Sequence, residues 1–121
     1  MLFYWERLNG FTPGSNKAEF NPSSEAWVLQ DEDGGEYVII PHKSYPGRKT
    51  IHFFLRREDA VAILTEIIDV NLTLKDKNIF PVAVKLIQAL RGIAEGKNPA
   101  HADSFVVHSP NEVYEFLRDN N

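Results

Sequence analysis

The apolar pattern of the chain changes its period near Leu55, and this change constrains the fold more than any other feature. Before Leu55, short apolar and aromatic runs alternate with clusters of glycine, proline and polar residues, which is typical of strands and turns. After Leu55, apolar residues recur at three- and four-residue spacing, which is typical of amphipathic helices. A chain of 121 residues with both patterns is expected to form a single α+β domain, residues 1–121.

Four strands are predicted from short apolar runs bounded by turn residues: Ala26–Gln30, Glu36–Ile40, Thr50–Leu55 and Ser104–Val107. The polar segment Asp31–Gly35 lies between the first two strands, and its Asp-Gly and Gly-Gly pairs favour a hairpin turn. Residues 10–24 are rich in glycine, proline, asparagine and serine and are expected to form a long loop within the domain.

Three helices are predicted. The first spans Arg56–Asn71, and the second opens at Pro81 and stops at Gly96. The third follows Ser109-Pro110-Asn111-Glu112, a capping box with proline at the first helical position. The predicted order is β-β-β-α-α-β-α. We expect a small, mostly antiparallel sheet of about four strands with the three helices packed on one face.

The absence of cysteine excludes disulfides, thiolate metal sites and cysteine nucleophiles. The sequence contains no serine-nucleophile motif, no phosphate-binding loop and no dinucleotide fingerprint. We therefore predict no catalytic residues of a known motif, no metal site and no cofactor. No apolar run approaches the length of a membrane helix and no leader pattern is visible, so we expect a soluble, cytoplasmic protein without a membrane partner.

A basic stretch between Pro41 and Arg57 contains five cations, two histidines and no acid, although the net charge of the chain is −4. Basic and aromatic side chains on one hairpin could hold a phosphate backbone and stack bases. The interaction candidates in this stretch are Tyr45, Arg48, Lys49 and Arg56. The acidic net charge disfavours nucleic acid, so nucleic-acid binding through residues 42–57 is an alternative hypothesis.

The N-terminus carries four consecutive large apolar residues, Leu2 to Trp5, which cannot all point into one core if the segment is extended. Exposed aromatics are typical of interfaces, which makes Tyr4 and Trp5 interaction candidates. The alternative is an edge strand that closes the sheet, with Phe3 and Trp5 pointing inward. Together with the missing catalytic motifs, the first of these interpretations favours a non-enzymatic protein-interaction or regulatory domain. Its expected partner is another protein or a second copy of the chain.

The four histidines support a third hypothesis, although none lies in a metal-binding motif. His42 and His52 could face each other across a hairpin, and His108 ends a predicted strand just before a helix. Strand-to-helix junctions often carry functional side chains. A small enzyme or ligand-binding domain using His42, His52 or His108 is therefore the other alternative, and it requires these residues to converge. His101 has no comparable context.

Overall fold

The computed structural model describes residues 25–32, 49–70, 77–97, 101–102 and 104–119, which form a mixed sheet with three helices. The elements are, in chain order, β1 (Glu25–Asp31), β2 (Thr50–Phe54), α1 (Arg57–Val70), β3 (Ile79–Lys85), α2 (Leu86–Ala94), β4 (Ser104–His108) and α3 (Pro110–Asp119). The predicted α+β class is confirmed. No helix among these residues is long and apolar enough to cross a bilayer.

The four strands lie in the order β3-β1-β2-β4. Strand β1 pairs antiparallel with β3 along seven residues and antiparallel with β2 at Trp27↔Phe54. Strands β2 and β4 are parallel, with Phe54 opposite His108. The sheet is therefore mostly antiparallel, and the parallel pair places the carboxyl ends of β2 and β4 side by side. Each of these two strands leads directly into a helix, α1 and α3 respectively.

Apolar clusters cover both faces of the sheet, because successive residues of a strand point to opposite sides. One cluster joins Leu29 and Phe54 to α1 and α3. The other joins Val28 and Phe53 to α2. The helices therefore do not all pack on one face as predicted. All five residues of β2 are buried, and a strand that is buried on both faces needs a covering element on each side.

The second predicted helix begins later than expected, since Pro81 lies inside β3 and α2 starts at Leu86. Proline is tolerated at the edge of a sheet, where its missing N–H can face away from the ladder. The β-branched Val82 and Val84 also favour a strand, and seven pairs with β1 stabilise it. The helical spacing seen in the sequence is real, but it applies only from Leu86 onward.

The predicted helix stop at Gly96 is confirmed. Gly96 has a φ of +68°, the left-handed conformation that glycine adopts without steric cost. Its N–H donates to the Ile93 carbonyl, and the Lys97 N–H donates to the Gly92 carbonyl. These two bonds form a Schellman motif that satisfies the last carbonyls of α2.

The first helix and the last strand are confirmed to within a residue or two. Several predicted features lie outside the described residues, so their predictions stay untested: the N-terminal aromatic segment, the loop 10–24, the strand Glu36–Ile40 and its turn with β1.

Candidate functional site

Two buried histidines meet on the sheet face that α1 and α3 cover. His52 lies in β2 and His108 ends β4, on the same side of the sheet as Phe54. The Nδ1 atom of His52 lies 2.8 Å from the Nε2 atom of His108, a hydrogen-bond distance. Only 5% of His52 and 2% of His108 is exposed. The parallel pairing of β2 and β4 thus brings together two of the three histidines that the sequence singled out.

The two imidazole rings lie edge to edge. Their planes differ by 6° and their centroids are 5.0 Å apart. The facing ring nitrogens are only 2.8 Å apart, whereas the ring centroids are 5.0 Å apart. The two parallel rings are therefore displaced sideways and do not overlap. The nitrogen lone pair of one ring therefore points along the N–H bond of the other, as a hydrogen bond requires. The Phe54 ring packs against His108 with its centroid 5.0 Å away.

Helix α3 starts two residues after His108 and brings a carboxylate to the pair. The Glu112 N–H donates to the Ser109 Oγ at 3.3 Å, and the Ser109 backbone N–H donates to the Glu112 carboxylate. These reciprocal bonds confirm the predicted capping box. They also hold the Glu112 side chain beside the end of β4.

The second oxygen of Glu112 faces His108. Glu112 Oε2 lies 3.6 Å from His108 Nδ1, the ring nitrogen that does not face His52. This distance is too long for a strong hydrogen bond, and Oε2 is buried with no hydrogen-bond partner among the described residues. The result is a continuous row of groups, which we name the His52–His108–Glu112 chain. It runs from a buried strand to a side chain that is 28% exposed.

Burial shapes the protonation of this chain. It lowers the pKa of His108 from the ordinary 6.5 to about 3, because the charged imidazolium cannot be hydrated there. Burial also raises the pKa of Glu112, and the hydrogen bond from the Ser109 N–H opposes that rise. At neutral pH His108 is therefore uncharged, and its contact with Glu112 is not an ion pair.

The geometry does not fit a metal site. The described residues contain no group of three or more histidine, cysteine, aspartate or glutamate side chains able to hold a metal ion. The facing nitrogens of His52 and His108 are already at hydrogen-bond distance, which leaves no room for an ion between them. The hydrogen bond between the two rings can instead carry a proton from one imidazole to the other.

Replacing Ser109 by alanine is expected to lower the free energy of unfolding by about 1 kcal/mol, because α3 loses its N-cap. Chemical denaturation of the variant measures this loss. Ser109→Asp is the matched control, since aspartate also caps helices well and should retain most of the stability. Equal stability of wild type and Ser109→Ala would show that the cap is energetically irrelevant.

Of the interaction candidates, the structure describes Lys49 and Arg56. Lys49 is exposed just before β2. Arg56 forms two hydrogen bonds with the buried Asp59, through Nη2 to Oδ1 at 2.9 Å and through Nε to Oδ2 at 3.1 Å. Arg56 thus has a structural role at the start of α1. Tyr4, Trp5, Tyr45 and Arg48 lie outside the described residues, as does His42, so their roles stay predictions.

Glu112 is the functional candidate that the sequence analysis missed. Its place in the capping box is a complete structural explanation for a glutamate at this position, so that motif alone does not indicate a second role. The signal was present nonetheless: a histidine that ends a strand lies four residues before a glutamate in the first turn of the next helix. His101, in contrast, is exposed and has a φ of +54°.

No protein-family model, curated protein or solved structure matches this chain, so its function has to be inferred from the side chains themselves.

Proposed function

We propose that the chain is a small ligand-binding domain that exchanges a proton with its ligand through the His52–His108–Glu112 chain. The observation that carries this proposal is the 2.8 Å hydrogen bond between two buried histidines, with a carboxylate behind the second one. In acid–base sites, a second polar group orients the base, and a third group holds the second one in place.

The energetic cost of the cluster supports a functional role. Each of the two histidines buries polar atoms that apolar residues could replace, and Oε2 of Glu112 is left without a partner among the described residues. A buried polar atom without a hydrogen-bond partner, such as Oε2, costs about 1–3 kcal/mol. Strongly shifted pKa values, such as that of His108, also concentrate at functional sites. A core needed only for stability would be better filled by apolar side chains.

The interaction and nucleic-acid hypotheses stay open beside this one. Both depend mainly on Tyr4, Trp5, Tyr45 and Arg48, which lie outside the described residues. The pairing of Arg56 with Asp59 reduces the support for nucleic-acid binding, because that cation already has an intramolecular role.

The test is equilibrium dialysis of the purified protein against the small-molecule fraction of a cell extract, with mass spectrometry of what is retained or chemically altered. The critical variant is His52→Asn, because an asparagine amide can replace the Nδ1 side of the ring but not Nε2. The matched control is His101→Asn, the same substitution at an exposed site whose positive φ asparagine tolerates.

We expect wild type and His101→Asn to retain or alter at least one compound in common. His52→Asn should bind that compound about tenfold more weakly, which corresponds to the loss of one hydrogen bond. Retention of no compound by the wild type, or equal retention by His52→Asn, would contradict the proposal. In that case the interaction hypothesis would become the leading one.

A further inference from the structure

Strand β3 has an outer edge that is partly open to solvent. The sheet order places β1 on one side of β3 and no other described strand on its other side. Phe80 is 37% exposed, and Ala83 and Lys85 are also exposed. The outer edge of a sheet presents backbone N–H and C=O groups to which a strand of another molecule can add.

The pairing of β3 with β1 fixes which backbone groups point to this edge. Directly opposite residues of an antiparallel pair alternate between those that exchange hydrogen bonds and those that do not. The Glu32 N–H donates to the Asn78 carbonyl oxygen in the register of the ladder, so these two residues form a hydrogen-bonded pair. The alternation then assigns each β3 residue to one side. The backbone groups of Phe80, Val82 and Val84 face β1, and those of Ile79, Pro81, Ala83 and Lys85 point to the outer edge.

Pro81 interrupts the outer edge in its middle. Proline has no N–H, and at an outward position this costs the ladder with β1 no hydrogen bond. A strand added at the outer edge, in contrast, would find no donor at Pro81 and would keep one carbonyl group without a partner.

The segment around Pro81 otherwise favours pairing between strands. Residues 79–84 carry no charge, and all of them except Pro81 and Ala83 are β-branched or aromatic. Uncharged segments of about six residues with high β-propensity and no proline are those that associate through their edges. Pro81 is the residue that separates β3 from this class.

We infer that Pro81 closes the outer edge of β3 to a second copy of the chain, and that a residue with a backbone N–H at this position opens that edge to self-association. A second copy is the expected occupant because two β3 strands can align antiparallel across a two-fold axis, with Pro81 of each opposite Ala83 of the other. Each proline then leaves one Ala83 carbonyl oxygen without a donor. The uncharged segment also carries nothing that would select a partner of opposite charge. The inference is independent of the histidine site.

The test compares Pro81→Val with the wild type by sedimentation across a concentration series. Valine restores the outward N–H in both copies, so the antiparallel pair gains two hydrogen bonds. We therefore expect the variant to self-associate at least about tenfold more tightly than the wild type. Ala83→Val is the matched control, because it adds the same side chain to the same face of β3 and leaves the number of donors unchanged. It should stay close to the wild type.

Amide hydrogen exchange identifies the surface that the copies use. In the wild type we expect the Ala83 N–H to exchange rapidly and those of Val82 and Val84 to exchange slowly, because only the latter two face β1. In the associated Pro81→Val variant the Ala83 N–H should become protected.

A folded Pro81→Val variant that is as monomeric as the wild type would overturn the inference. Equal association of Ala83→Val would overturn it too, since the added side chain and not the restored donor would then be the cause. Association that leaves the Ala83 N–H unprotected would place the contact elsewhere, and slow exchange of Ala83 in the wild type would show that the edge is already covered. Pro81→Ala restores the same N–H and takes the place of Pro81→Val if the valine variant does not fold.

Discussion

Lowering the pH from 6.5 to about 3 is expected to destabilise the fold by roughly 3–5 kcal/mol through His108 alone. In the unfolded chain His108 takes up a proton near its ordinary pKa of 6.5, but in the folded protein burial lowers its pKa to about 3. Between these values the unfolded state binds more protons than the folded state. The free energy of unfolding therefore falls as the pH falls, by about 1.4 kcal/mol for each pH unit.

Glu112 acts in the opposite direction as the pH rises above its ordinary pKa of 4.5. Burial raises its folded pKa above the ordinary 4.5, so just above pH 4.5 the folded state holds this proton more tightly than the unfolded state. That contribution lowers stability as the pH rises, and it offsets part of the His108 effect there. Above pH 6.5 His108 is neutral in both the folded and the unfolded state, so it no longer lowers the free energy of unfolding.

Chemical denaturation at a series of pH values measures this dependence. His108→Gln is the informative variant, because the glutamine amide can replace the Nε2 side of the ring without titrating. In this variant we expect the free energy of unfolding to depend less steeply on pH than in the wild type. The two slopes should differ by about 1.4 kcal/mol per pH unit between pH 6.5 and 3. The control His101→Asn should keep the wild-type slope. Identical slopes for wild type and His108→Gln would show that His108 is not buried in its neutral form.

Phe53→Ala is expected to lower the free energy of unfolding by about 3–5 kcal/mol. The Phe53 side chain is 0% exposed and belongs to the cluster that joins the sheet to α2. Truncation removes apolar contacts and leaves a cavity that the close-packed strand cannot fill. Urea denaturation measures the loss, and Phe53→Leu provides a milder variant if the alanine variant does not fold.

The control for this substitution is Tyr114→Ala, since Tyr114 is 65% exposed on α3. It should change the free energy of unfolding by no more than about 0.5 kcal/mol, as is usual for exposed positions. A small effect of Phe53→Ala, comparable with that of Tyr114→Ala, would contradict a second core beneath α2 and would favour three helices on one face.

Local patterns predicted those parts of the fold that depend on local interactions. The Ser109–Glu112 capping box and the Gly96 stop depend on a few neighbouring residues, and both are confirmed. The strand around Pro81 was missed because it depends on pairing with β1, some fifty residues earlier in the chain. Tertiary pairing overrides local propensity there, and a proline at an apparent helix start concealed it.

The site could be predicted only in part for a related reason. His52 and His108 are 56 residues apart, and only the parallel alignment of β2 and β4 brings them together. The sequence indicated that both are candidates but paired His52 with His42, because a hairpin is the simplest way to bring two nearby segments together. Glu112 lies at the site because it belongs to the first turn of α3, which begins directly after β4.

The proposed function depends most directly on the hydrogen bond between His52 and His108. The decisive measurement is a ¹⁵N–¹⁵N scalar coupling across that bond, recorded on ligand-free protein with labelled histidine side chains. We expect a cross-peak that links His52 Nδ1 to His108 Nε2 and that disappears in His108→Leu but persists in His101→Asn. Absence of the cross-peak in the folded wild type, with two imidazoles that titrate independently near pH 6.5, would contradict it.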